Sequence, residues 1–195
     1  QFILHCGKTG LAYRSLNSDM NVRWFSLYQL VSGVLVSHIA ISSFVGLPGV
    51  AVETGKTLEL GTHELRVLCE VEAVLEQLMK WTKVFETTSS PMAAYVLPSI
   101  ACLLHVFGVD VSEGILDKTR PTTKSKFQVL VLDGEGCKKR TPVAYGDLCD
   151  EAKGLVATLR DHLYFRLVTE RNNNNGPELA AMYAHPMMHQ AMFDL

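Results

Sequence analysis

Two histidines four residues apart, His185 and His189, have the spacing with which one face of a helix can hold a metal ion. Pro186 lies between them, and no Cys or carboxylate pair stands nearby in sequence. They read more simply as two surface histidines near a helix start. Two Gly-Lys-Thr triplets, at Gly7 and Gly55, raise the question of a phosphate loop. Such a loop needs a further glycine five places upstream, so that backbone N–H groups can wrap the phosphates. Phe2 and Val50 occupy those places, and both triplets read as turns. His63-Glu64 lacks the second histidine of a metalloprotease helix, no G-x-S-x-G occurs, and no Cys–His spacing supports a nucleophile. The remaining candidate chemistry is phosphate contact. Lys118, Arg120, Lys124, Lys126, Lys138, Lys139 and Arg140 place seven of the eighteen basic residues within a short stretch. That strip is either a phosphate-binding surface or a solvated loop.

The elements that would position these groups are mostly helices. The chain of 195 residues is 48% hydrophobic and 19% charged, with 14 glycines and 7 prolines, which excludes a disordered, collagen-like or coiled-coil chain. A net charge of −2 gives no overall attraction to nucleic acid, so any DNA contact must be local. Five widely spaced cysteines without a C-x-x-C pair point away from a disulfide scaffold and towards a reducing compartment. The first residue is Gln1 and no leader pattern follows it, so the chain is expected to be a piece of a longer protein.

Residues 1–20 are a mixed lead-in broken by Gly7 and Gly10. Residues 21–109 form a helical region, with a first helix over 22–44. Residues 24–52 carry no Asp, Glu, Lys or Arg, long enough to span a bilayer, but serines and Gln29 interrupt them. The spacing of Trp24, Leu27, Tyr28, Val31, Val34, Leu35, His38 and Ile41 predicts a buried amphipathic helix with a serine-rich opposite side, not a membrane span. A second helix is predicted over 62–88, capped by Thr62, with Glu76 and Lys80 paired on its wet side. A third begins at Ser90 and Pro91, is kinked by Pro98, and ends near Phe107 before Gly108. Residues 110–145 read as a basic loop region with one isolated strand over 127–132. Residues 146–195 are a C-terminal helical region, with a helix over 146–169, a flexible loop at Asn172 to Asn175, and a short last helix from Pro177.

One block of residues has a family pattern. Asp19, Arg23, Trp24, Ser26 and Tyr28 match the D-x-x-T-R-W-N-S-x-Y-x-M-L stretch, with Val22 in place of Thr and Phe25 in place of Asn. This resembles the hAT superfamily of DNA transposases. The segment FETTSSPMAAYVLPSIACLL is similar to the family's helix end, turn and Leu-Pro-x-Ile-x-x-Leu helix, and residues 155–166 resemble the next family helix. Residues 179–189 match the AAxLDPRFK element more loosely, since His185, Met187 and His189 replace Asp, Arg and Lys.

The resemblance implies a mostly α chain, the helical insertion of an RNase H-like catalytic domain, located in the nucleus. It implies DNA as a partner, self-association through a region beyond this chain, and no membrane. Family members use three carboxylates to hold two Mg²⁺ or Mn²⁺ ions for in-line attack on phosphate. Two lie upstream of the Arg-Trp block and the third follows the LDPR element. None of the acids here is therefore assigned as catalytic or metal-binding, no cofactor is expected in this chain, and alone it is expected to be inactive. The expected DNA-binding residues are Arg23, Trp24, Lys124, Lys126, Lys138, Lys139 and Arg140. The family's Trp stacks on a displaced base; a core Trp at the head of an apolar helix is the other reading. A transposon-derived module that binds protein and not DNA is the alternative function.

Overall fold

A computed structural model describes residues 1–14, 24–47, 50, 60–86, 93–112, 115–117, 126–132 and 138–165. The described elements run α1 (Phe2–Thr9), α2 (Trp24–Val45), α3 (Thr62–Glu86), α4 (Ala93–Val106), β1 (Asp110–Ser112), β2 (Ile115–Asp117), β3 (Lys126–Leu132), β4 (Lys138–Ala144), a 3₁₀ turn (Tyr145–Asp147) and α5 (Asp150–Tyr164). The chain is mostly α, as expected, but it holds more strand than expected. β1 and β2 pair antiparallel, with Val111 opposite Leu116, and β3 pairs with β4. The strand over 127–132 is therefore not isolated, and Lys138, Lys139 and Arg140 belong to a strand, not to a loop. The polar run Lys138-Lys139-Arg140-Thr141 has no hydrophobic alternation to announce a strand; its pairing with β3 supplies what its sequence does not.

The chain divides into two compact units: Gln1–Glu76 with Gln128–Thr141, and Gln77–Phe127 with Pro142–Leu195. In the first unit, α1 packs on α2. Gly7-Lys8-Thr9 is the last turn of α1 and not a free turn, and the helix stops at Gly10, whose φ of 68° suits glycine. Phe2 meets Phe44 edge-on at 5.5 Å, and His5 Nε2 lies 3.0 Å from Ser43 Oγ. Phe25–Val45 is long and apolar enough to cross a membrane by length and composition. The expected wet serine side does not appear along its middle: residues 28–41 are all buried or half-buried. Ser37 is wholly buried, and its Oγ accepts the Arg14 backbone N–H at 2.8 Å and donates to the Arg14 carbonyl at 3.4 Å. Serine is tolerated on this face because a neighbouring backbone supplies its partners.

α3 starts one residue earlier than a Thr62 cap would place it, since Thr62 is its first helical residue. Leu65 N–H bonds to the Gly61 carbonyl at 3.0 Å, so Gly61 is the cap position. Glu64 folds back over Gly61, where a Cβ would lie 2.5 Å from its Oε2. The side chains buried in this helix's first-unit portion include Cys69, Glu70, Glu72, Ala73, Val74 and Leu75, a wide arc.

In the second unit, α4 packs on α5 and on β1. α4 continues through Pro98 and ends as predicted before Gly108. Val109 N–H reaches the Leu104 carbonyl and Gly108 N–H the His105 carbonyl, with Gly108 at φ 88°. This is the Schellman ending, and the wholly buried Leu104 and Val109 side chains supply its apolar contact. Phe127 is buried and Lys126 and Gln128 are exposed, the alternation of a half-covered strand. α5 begins later than predicted, at Asp150 after the 3₁₀ turn, and buries Ala152 and Val156. Ser90, Pro91, the Asn172 to Asn175 run, the helix expected from Pro177, and the triplet at Gly55 lie outside the described residues.

Candidate functional site

The expected DNA-binding residues separate into three groups. Arg23 and Lys124 lie outside the described residues. Trp24 is the first residue of α2 and Lys138 the first of β4. Lys126 on β3 and Lys139 on β4 are exposed. Arg140 is exposed too, but its guanidinium is engaged. Its Nη2 donates to Glu72 Oε1 at 2.9 Å, and its Nη1 donates to Glu76 Oε2 at 3.0 Å and to the Gln128 carbonyl at 2.8 Å. Of the basic strip, Arg140 is thus a structural cation with Nη1 and Nη2 already engaged. His185 and His189 lie outside the described residues, and His63 and Glu64 are exposed on the first turn of α3.

Nothing in the local sequence marks the cluster around Arg140 as a unit. Glu72 and Glu76 stand one turn apart on α3. The Glu72 side chain is 4% exposed, Glu76 18% and Arg140 35%, so the pair with Glu72 is the desolvated one. Glu72 Oε2 is buried and no donor reaches it in hydrogen-bond geometry. Tyr28, a member of the Arg-Trp block, faces the same group. Burial first, then the charges of Glu72 and Glu76 and a hydrogen bond with Glu72, hold its phenol above the ordinary value, against the opposing pull of Arg140. Burial also works against the Arg140 charge, but the bond and charge of Glu72, with Glu76, outweigh it and raise the guanidinium above its usual value. The one signal for this cluster is compositional: Glu70, Glu72 and Glu76 crowd two turns of a helix that also carries core residues, so each carboxylate needs a cation. Arg66 Nε supplies it for Glu70 at 2.8 Å.

A cleft of about 340 Å³ opens beside the cluster, lined by Ser32, Leu35, Val36, Glu72, Leu130 and Arg140. Cys69, one turn before Glu72, is pushed up to about 11 by burial and then by the charges of Glu72 and Glu70. It stays a thiol at neutral pH and is not a nucleophile.

A two-metal centre does not fit these groups. Among the described residues no three His, Cys, Asp or Glu side chains converge as ligands would, and the Arg140 guanidinium already bridges Glu72 and Glu76. Comparison with known protein families, with curated proteins and with solved structures finds no match.

Proposed function

We propose that the chain is the helical insertion segment of a hAT-like transposase, or of a descendant put to another use, and that it contributes scaffold and local DNA contact in the nucleus. The observation that carries this reading is where the Arg-Trp block falls. Trp24 opens a 22-residue helix with no acid in its first turn, a positive helix end, with Arg23 next to it in sequence. Tyr28, from the same block, faces Glu72, Glu76 and Arg140, the residues that tie β4 to α3. One part of the block thus serves a phosphate and an unpaired base, and the next turn serves the scaffold. An indole that replaces lost base stacking contributes about 1–3 kcal/mol per base.

The test is binding at low salt to a duplex carrying one unpaired base, against the fully paired duplex. The intact chain prefers the first, and Trp24→Ala removes the preference with little change in melting temperature. Arg23→Ala lowers the salt dependence of binding by about one unit of slope. Absence of DNA binding at low salt, with a loss of about 3–5 kcal/mol of stability in Trp24→Ala, would instead make Trp24 a core residue. The alternative, a protein-binding module without DNA contact, is favoured by one feature: adjacent Ile3 and Leu4 on α1 are 65% and 63% exposed.

A further inference from the structure

Ile3 and Leu4 are the two most exposed large apolar side chains among the described residues, at 65% and 63%, and they are neighbours. Scattered exposed aliphatics are ordinary on a protein surface; two side by side at the head of a packed helix are a patch. By the helical repeat, Ile3, Leu4, Gly7 and Lys8 share one face of α1, and all four are exposed. The opposite face is fixed to α2. Phe2 meets the Phe44 ring at 5.5 Å, His5 Nε2 lies 3.0 Å from Ser43 Oγ, and Cys6 is buried. The outer face is thus held in place before anything binds, which removes the cost of ordering it. A Cβ added at Gly7 would meet nothing within 4 Å, so another backbone can come close there. The charge of this segment has one sign. Residues 1–18 hold Lys8 and Arg14 and no Asp or Glu, and both cations are exposed. Arg14 is held beside α2 through its backbone, whose N–H donates to Ser37 Oγ at 2.8 Å.

We propose that the outer face of α1 docks an acidic amphipathic helix of a partner protein. The partner's apolar stripe lies on Ile3 and Leu4, its backbone comes closest at Gly7, and a carboxylate meets Lys8. Charge decides the occupant. A second copy of α1 crossing at Gly7 would bring Lys8 towards Lys8, with no acid in either segment to offset them. A nucleic acid complements the cations but leaves the two aliphatic side chains without an apolar partner. A lipid surface would take both features, but two aliphatic side chains on an eight-residue helix offer little apolar area for it. A helix with leucines on one stripe and glutamates beside it meets the aliphatic pair and the cations together. This inference rests on the protein-binding alternative, whose partner it names, and is independent of DNA contact.

The experiment is methyl NMR on the full chain, labelled at Ile and Leu, titrated with a synthetic helical peptide of Ala, Leu and Glu whose leucines form one stripe. A twin peptide with Lys in place of every Glu is the control. Saturable shifts at Ile3 and Leu4 with the Glu peptide are expected, with the twin at least about tenfold weaker. Leu4→Ser, at a side chain already mostly in water, leaves the unfolding curve unchanged and weakens binding at least about tenfold. Lys8→Glu reverses the preference between the two peptides. Val131→Ser, at an exposed apolar residue on β3, leaves binding unchanged. The inference is overturned if neither peptide saturates, if the twin binds as well, or if binding survives Leu4→Ser and Lys8→Glu. Saturable shifts confined to other methyls overturn this face and leave a protein-binding module standing. Shifts at Ile3 and Leu4 that come instead from concentrating the free chain, or from vesicles of phosphatidylserine and phosphatidylcholine, assign a second copy or a lipid surface and overturn it as well.

Discussion

Replacing Arg140 by Met keeps much of the side chain's apolar length and deletes its charge. Three hydrogen bonds disappear, to Glu72, Glu76 and the Gln128 carbonyl, at 2.9, 3.0 and 2.8 Å. The dominant loss is at Glu72, whose side chain is only 4% exposed and would lose this counter-ion. Stranding one member of a buried pair costs roughly 3–5 kcal/mol. The Arg140 side chain is 35% exposed, so water already screens part of its interaction, and Glu76 at 18% can recover some hydration. The expected loss is therefore about 2–4 kcal/mol.

The assay is a double-mutant cycle by urea unfolding, followed by far-ultraviolet circular dichroism at neutral pH. Arg140→Met and Glu72→Gln are each destabilising, and the double variant recovers part of the loss because Glu72 then no longer buries a charge that has lost its partner. The coupling should lie between about 1 and 3 kcal/mol. A loss below about 0.5 kcal/mol in Arg140→Met, or single effects that simply add, would refute a structural role for Arg140. It would then belong with Lys139 as an exposed cation.

Gly108→Ala forces a Cβ into the left-handed region at φ 88°, and should lower stability by about 1–2 kcal/mol in thermal unfolding, while Gly7→Ala inside α1 should not destabilise. Ser37→Ala strands the Arg14 N–H in a part-buried site and should cost about 1–3 kcal/mol, where a wet serine would cost almost nothing. Cys69 has its thiol raised from 9.0 to about 11 in the folded chain, so the unfolded chain releases that proton first. Its stabilising contribution is complete below pH 9 and is lost as pH rises to about 11, on the order of 2–3 kcal/mol; urea unfolding of Cys69→Ala across that range should show a shallower decline.

How far the sequence announced the fold follows from where each signal lay. Gly108 and the apolar run before it marked the end of α4 because a left-handed ending is a local requirement of the backbone. The strand at 127–132 was legible from its β-branched and aromatic residues. Its partner Lys138–Ala144 was not, since a strand that begins with two lysines and an arginine is defined by what it pairs with. The same holds for the candidate site. Tyr28 belonged to a motif, but Glu72 and Arg140 are 68 positions apart, and nothing local in either sequence neighbourhood names the other. Ser37 misled for a related reason: hydroxyl side chains on one helix side suggest water until a chain segment 23 residues away turns out to bond one of them.

Lys139 and Arg140 are neighbours in sequence and carry the same formal charge, yet they bear on DNA binding in different ways. On a strand, consecutive side chains point to opposite faces. Both are exposed, but Arg140 reaches α3 and joins Glu72 and Glu76. Loss of binding after a change at Arg140 would follow from loosening the bond between β4 and α3, and would come with a fall in stability. Loss after a change at Lys139 would come with a lower salt slope and an unchanged unfolding curve. The basic strip therefore cannot act as one uniform surface. Whatever phosphate contact it makes rests on its exposed lysines, and the arginine's guanidinium, the group best shaped for two-pronged contact with a phosphate, is committed to holding the scaffold together.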